Sequence, residues 1–128
     1  MSLTNSFETS VLTWLLTTGT PSPVRPTAWS LGLFTAAPGE AGGGTEISGS
    51  AYARQSFTFT VSGDTATNSA AIEFPTASGS WGTITHVAVF DALTTGNMIA
   101  YATLNSAKTI ATGDVLRVPA GDLDITLD

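Results

Sequence analysis

The sequence has no cysteine, one histidine and only four basic residues among 128: Arg25, Arg54, Lys108 and Arg117. The first absence removes disulfides, thiolate metal sites and thiol nucleophiles together. The shortage of cations removes the basic patch that neutralising a run of phosphates requires, so nucleic acid is not expected as a partner. Charged residues are 11% of the chain, against the usual quarter or so, and the formal net charge is -6. A polar surface with few charges suits contact with neighbouring proteins, because little charge must be desolvated when two faces meet. The opening "MSLTNSFETSVLTWLLTTGT" has no Lys or Arg ahead of its apolar part, and polar residues interrupt that part. Neither a signal peptide nor a membrane contact is expected from it.

What is present is a short helical pattern followed by many short strands. Phe7, Val11, Trp14 and Leu15 recur at helical spacing, with Leu12 and Leu16 widening the stripe. Asn5 followed by Glu8 resembles a capping box, and Gly19 and Pro21 supply a stop, which predicts a helix over about 5–17. Such a helix is too short to stand alone, so its apolar face must dock on the domain or on a neighbouring subunit. The prolines of "PSPVRPT" then force an extended connector.

Beyond it the period changes from 3.6 to 2. Trp29, Leu31 and Leu33 alternate with Ser30 and Gly32, and Phe57, Phe59 and Val61 alternate with hydroxyl residues. Ala70, Ile72 and Phe74 continue the theme, as do "TITHVAVFDA", "NMIAYATL", "DVLRVPA" and "DLDITLD", separated by Gly-rich turns. The expected fold is mainly β: an antiparallel sandwich or small barrel of about seven or eight strands with one N-terminal helix. At this length one domain is expected. Within it, residues 1–20 form an arm, 21–27 a connector and 28–128 the β-sandwich. In the last strand Leu123, Ile125 and Leu127 are expected on the core side, with Asp122, Asp124, Thr126 and Asp128 opposite.

Candidate chemistry is sparse. "APGEAGGGTEISGSAYARQSF" carries three consecutive glycines, but no Lys and no following helix, both of which a phosphate-binding loop needs. It reads instead as a long, mobile strand connection whose glycines permit positive φ, free to order against a neighbour. His86 alternates onto the side of Ile84, Ala88 and Phe90. No GxSxG elbow accompanies it, so a strand histidine is expected rather than a catalytic one. Asp114, Asp122, Asp124 and Asp128 raise the question of calcium, yet same-face residues of a strand lie about 7 Å apart and no DxDxDG loop is present. No metal, cofactor or catalytic residue is assigned. Trp29 fits the core, whereas Trp81 in "SGSWGT" is a possible surface aromatic.

Three longer stretches carry a resemblance: "WSLGLFTAAPGEAGGGTEISGSAYARQSFTF", "IEFPTASGSWGTITHVAVFDA" and "NMIAYATLNSAKTIATGDVLRVPAGDLDITL". They resemble a family of small structural proteins of tailed bacteriophages, usually called tail fibre or capsid decoration proteins, over about residues 4–127. The resemblance implies a non-enzymatic virion component, made in the host cytoplasm, whose partners are the major capsid protein or tail proteins. A fibre must span distance, and no long repeat or heptad pattern is present. A compact domain therefore suits a capsid decoration or cement protein bridging coat subunits, with a homo-oligomer, a trimer first, as the expected assembly. The alternative is a tail-associated fibre or adhesin domain binding a host glycan or protein. The expected contacts are Phe7, Val11, Trp14 and Leu15 on the arm, and Gly42, Gly43, Gly44, Thr45 and Glu46 on the Gly-rich loop.

Overall fold

The computed structural model describes residues 1–127, so Asp128 lies outside the described residues. Among these residues the chain folds as β1 (Ser2–Leu3), α1 (Asn5–Leu16), β2 (Trp29–Ala36), β3 (Thr45–Glu46), β4 (Gln55–Phe57), β5 (Phe59–Ser62), β6 (Thr65–Asn68), β7 (Ile72–Glu73), β8 (Gly82–Phe90), β9 (Met98–Ile110), β10 (Arg117–Val118) and β11 (Asp124–Thr126). Every strand pairing is antiparallel. A six-stranded sheet runs β1-β9-β8-β2-β3, with β4 also paired to β2. A three-stranded sheet, β11-β6-β5, and a two-stranded one, β10-β7, complete a mainly β, sandwich-like arrangement.

Eleven strand segments replace the expected seven or eight, and the reason is local. The alternating run from Gln55 to Ser62 breaks at Thr58, so β4 joins the large sheet while β5 joins the small one. Such a strand that changes sheet makes the corner of a sandwich. The corner is pinned where Ser69 N–H donates to the Thr58 carbonyl at 2.9 Å and the two hydroxyls meet at 2.9 Å. β6, "TATN", has too little apolar alternation to announce itself, yet it is the central strand of its sheet.

The main core lies between the sheets. Leu31, Leu33, Val87, Val89 and Ile110 from the large sheet meet Ile72, Phe74, Trp81 and Leu123. The opposite face of the large sheet carries a second cluster, Phe34, Ala88 and Phe90. His86 does not share a side with Ile84: a register irregularity between Ile84 and His86 sends Ile84 into the main core. Leu127, expected on the core side, is exposed, whereas Leu123 is buried and Ile125 packs against the core.

Candidate interaction surface

The N-terminal segment is built into the sheet before the helix begins. Ser2 and Leu3 pair with Tyr101 and Ala100, and Thr4 N–H donates to the Ile99 carbonyl at 2.9 Å. The helix N-cap is Thr4 rather than Asn5, and the Thr4 hydroxyl is spent on the Met98 carbonyl at 2.7 Å instead of capping its own helix. Glu8 still lies in the first turn, where its charge complements the helix dipole. Phe7 is buried in the main core, and Ser10, also buried, donates to the Pro23 carbonyl at 2.6 Å. The first half of α1 is thus fixed to the body, and the proline connector is drawn back against it.

The second half of α1 has no such cover. Trp14 is 68% exposed, Leu15 62% and Leu16 71%, with Leu12 and Val24 also more than half exposed. Of the four arm residues expected to make contacts, Phe7 is core and Val11 half-buried, while Trp14 and Leu15 are open. A cleft of 390 Å³ lies between helix and connector, lined by Phe7, Ser10, Val11, Trp14, Pro21, Arg25 and Pro26. Val24 was not singled out by the sequence. The proline run marked it only as connector, and only the fold shows it exposed.

The Gly-rich loop is held by its own chain. Gly39 and Gly42 exchange backbone hydrogen bonds of 2.9 and 2.8 Å, closing a tight turn. Glu40 at its tip accepts the Asn5 N–H on its carbonyl, and its carboxylate takes the hydroxyls of Tyr101 and Ser2. Gly42, Gly43 and Gly44 all have positive φ, as expected. Only at Gly44 is the space also closed: a Cβ there would stand 2.7 Å from the Pro38 nitrogen and 2.8 Å from the Ala36 carbonyl oxygen. Thr45 is exposed in β3.

Glu46 is turned inward, as one partner of a forked ion pair. Arg54 Nε donates to its Oε2 and Arg54 Nη2 to its Oε1, both at 2.8 Å. The Arg54 side chain is 9% exposed and that of Glu46 23%. The remaining Arg54 donor reaches the carbonyls of Ala92 and Thr95 at 3.0 and 2.8 Å, and the guanidinium stacks 3.5 Å from the centre of the Phe90 ring. Gly32 lies beneath the pair, where a Cβ would approach Glu46 Oε2 to 2.9 Å.

Tyr52 completes the network at a gap in the sheet. β2 pairs with β4 through Leu31 and with β3 from Phe34, leaving Leu33 N–H between them. That donor goes to the Tyr52 hydroxyl at 3.0 Å, which in turn donates to Glu46 Oε2 at 2.7 Å. Burial, then the hydrogen bond to Glu46, raises the Tyr52 pKa above its ordinary value of 10.0. The neutral phenol is therefore the folded form. Its contribution is complete below about pH 10 and declines as pH rises from there, where the unfolded chain ionises and the folded one resists. In denaturant titrations from pH 8 upward, Tyr52→Phe is expected to be less stable at pH 8 but to lose stability less steeply above pH 10. Parallel curves would contradict this.

Trp81, a possible surface aromatic in the sequence, is 4% exposed. Its indole N–H donates to the Ser50 carbonyl at 2.9 Å, and its ring meets Tyr52 edge-on at a centroid distance of 5.5 Å. It plugs the core from the turn before β8, and no aromatic platform remains there. His86 contacts the Thr85 hydroxyl through Nδ1 at 2.8 Å. Among the described residues, no group of three or more His, Cys, Asp or Glu could hold a metal ion. Among the described residues no helix is long and apolar enough to cross a membrane.

Fold and surface together define a small antiparallel β-sandwich protein whose most distinctive surface feature is a half-docked helix with an exposed apolar end. Residues 2–126 match the family described as the podophage GP4 fiber I protein gp80. The chain belongs to that family, and it is a phage structural protein. No curated protein matches the chain.

Proposed function

We propose that the protein is a subunit of a virion fibre, fastened to another virion protein through the second half of α1 and the adjoining connector. The observation that carries this is the run Leu12, Trp14, Leu15 and Leu16, each more than half exposed at the end of a helix whose base is locked into the sheet. Apolar patches of this kind on a soluble domain mark interaction sites. The family description favours a fibre over capsid decoration. With Trp81 buried, host recognition through that side chain loses its support, and with Glu46 committed to Arg54 the Gly-rich loop loses one of its expected contact residues. The Gly42–Gly44 turn, at the opposite end of α1, is a second, smaller contact. The role is mechanical, and no catalytic step is part of it.

Truncating residues 1–20 is a poor test, because it also removes β1 and Phe7. Point substitution is cleaner. Trp14→Ser and Leu16→Glu are expected to leave thermal unfolding within about a degree or two of wild type, since neither side chain packs in the core. Both should reduce incorporation into particles at least about tenfold, measured by quantitative blotting of purified virions. Normal incorporation of both variants would sink the proposal.

A further inference from the structure

Between β9 and the stretch from β10 to β11 lies a cavity of 420 Å³ that shares no residue with α1 or the connector. Its volume falls within the roughly 300–1,000 Å³ of small-ligand sites. Val87, Ala102, Leu104, Leu116 and Leu123 give it an apolar floor, and Val87 and Leu123 are buried members of the main core.

Around this floor stand Thr103, Asn105, Lys108, Arg117, Asp122 and Asp124. Among the described residues, none of these six side chains has a hydrogen bond or an ion pair within the chain. Several other carboxylates are already committed: Glu46 to Arg54, Glu40 to Tyr101, Asp91 to Asn97 and Asp114 to the Ala111 N–H. Two of the chain's four Lys and Arg residues line this one cavity beside two aspartates, yet no pair of them comes within salt-bridge distance. The backbone helps to present them. Between the pairs His86–Thr103 and Ile84–Lys108, β8 has one residue, Thr85, while β9 has four, Leu104 to Ala107. A bulge bends its strand and re-aims the side chains it carries, and here Asn105 and Lys108 reach the cavity.

The rim selects a chemistry. Lys108, Arg117 and the Asn105 amide donate, Asp122 and Asp124 accept, and the Thr103 hydroxyl does both. The charges balance, so a simple anion or cation would meet two groups of its own sign. A hydroxyl both donates and accepts, so a ligand rich in hydroxyls can answer every group on the rim. We propose that this cavity binds an uncharged saccharide, its C–H faces on the apolar floor and its hydroxyls on the rim side chains. The site is separate from attachment through α1, and either can fail alone.

Titration of the isotope-labelled full chain with maltose, cellobiose and N,N′-diacetylchitobiose, followed by amide chemical shifts, tests this. At least one sugar is expected to shift the amides of residues 102–108 and 116–124 and to leave residues 5–27 unmoved. Asp122→Ala and Arg117→Met should each weaken that sugar about tenfold, the scale of one hydrogen bond to a charged group. Circular dichroism should not change, because both side chains are exposed. Digalacturonate and dialanine are the charged controls. Stronger binding of either control at the same amides overturns the saccharide and gives the cavity to an anion or to a zwitterionic peptide. Absence of shifts with all three sugars overturns the inference, as does binding that both substitutions leave unchanged.

Discussion

Trp81→Ala is expected to destabilise the fold by about 3–5 kcal/mol, the range for removing a large buried aromatic. The side chain is 4% exposed and lies against Tyr52 and Phe74, with ring centroids 5.5 and 6.5 Å away. Its loss leaves a cavity and strips the Ser50 carbonyl of its indole donor, so two costs add. Domains of this size are held by only about 5–15 kcal/mol, and the variant should sit near the edge of folding. Urea unfolding followed by circular dichroism measures it. Trp81→Phe should recover most of the packing but not the hydrogen bond, and should fall between the two. A loss under about 1 kcal/mol for Trp81→Ala would mean the ring is not the plug described.

The second large effect concerns Arg54. Arg54→Leu leaves Glu46 facing an apolar sheet with only the Tyr52 hydroxyl as partner, and it removes the Thr95 carbonyl's donor while the Ala92 carbonyl keeps only the Ser30 hydroxyl. Breaking a buried pair from one side costs about 3–5 kcal/mol, and the partial exposure of Glu46 places this case near 3. Glu46→Leu together with Arg54→Leu removes both charges and should be milder than the sum of the single changes, with a coupling of about 1–3 kcal/mol in a double-mutant cycle. Strict additivity would contradict the ion pair. The Arg54 change should also loosen the turn between β8 and β9, read as faster amide exchange over residues 91–97, because Arg54 bonds two of its carbonyls.

Both substitutions fall within stretches that carry the family resemblance, and they show what those motifs are for. "GGGTEISGSAYAR" was legible as a Gly-permitted turn, and three positive-φ glycines bear that out. Its Glu, Tyr and Arg were not legible as one network, because Glu46 and Arg54 meet only once β3 has paired and the segment 47–54 has folded back. One signal was available: in a chain with four cations, an Arg eight residues from a Glu is a candidate pair.

The strand run near the C-terminus, the change of period after residue 27 and the single helix were readable from alternation alone. Segments with two-residue ladders, such as Ser2–Leu3 and Thr45–Glu46, were not, since two residues have no period. The helix stripe was visible too. The sequence could not show that Phe7 and Trp14, seven residues apart on one face, have opposite fates. That depends on where the body ends beneath the helix.

The central claim is that the free half of α1 is covered in the assembled virion. Cryo-electron microscopy of intact particles, with this chain fitted into the density, tests it most directly. The expected result is protein density, from a second copy or a neighbouring fibre component, packed on Trp14, Leu15 and Leu16. A map in which these three side chains face solvent in every copy would contradict it.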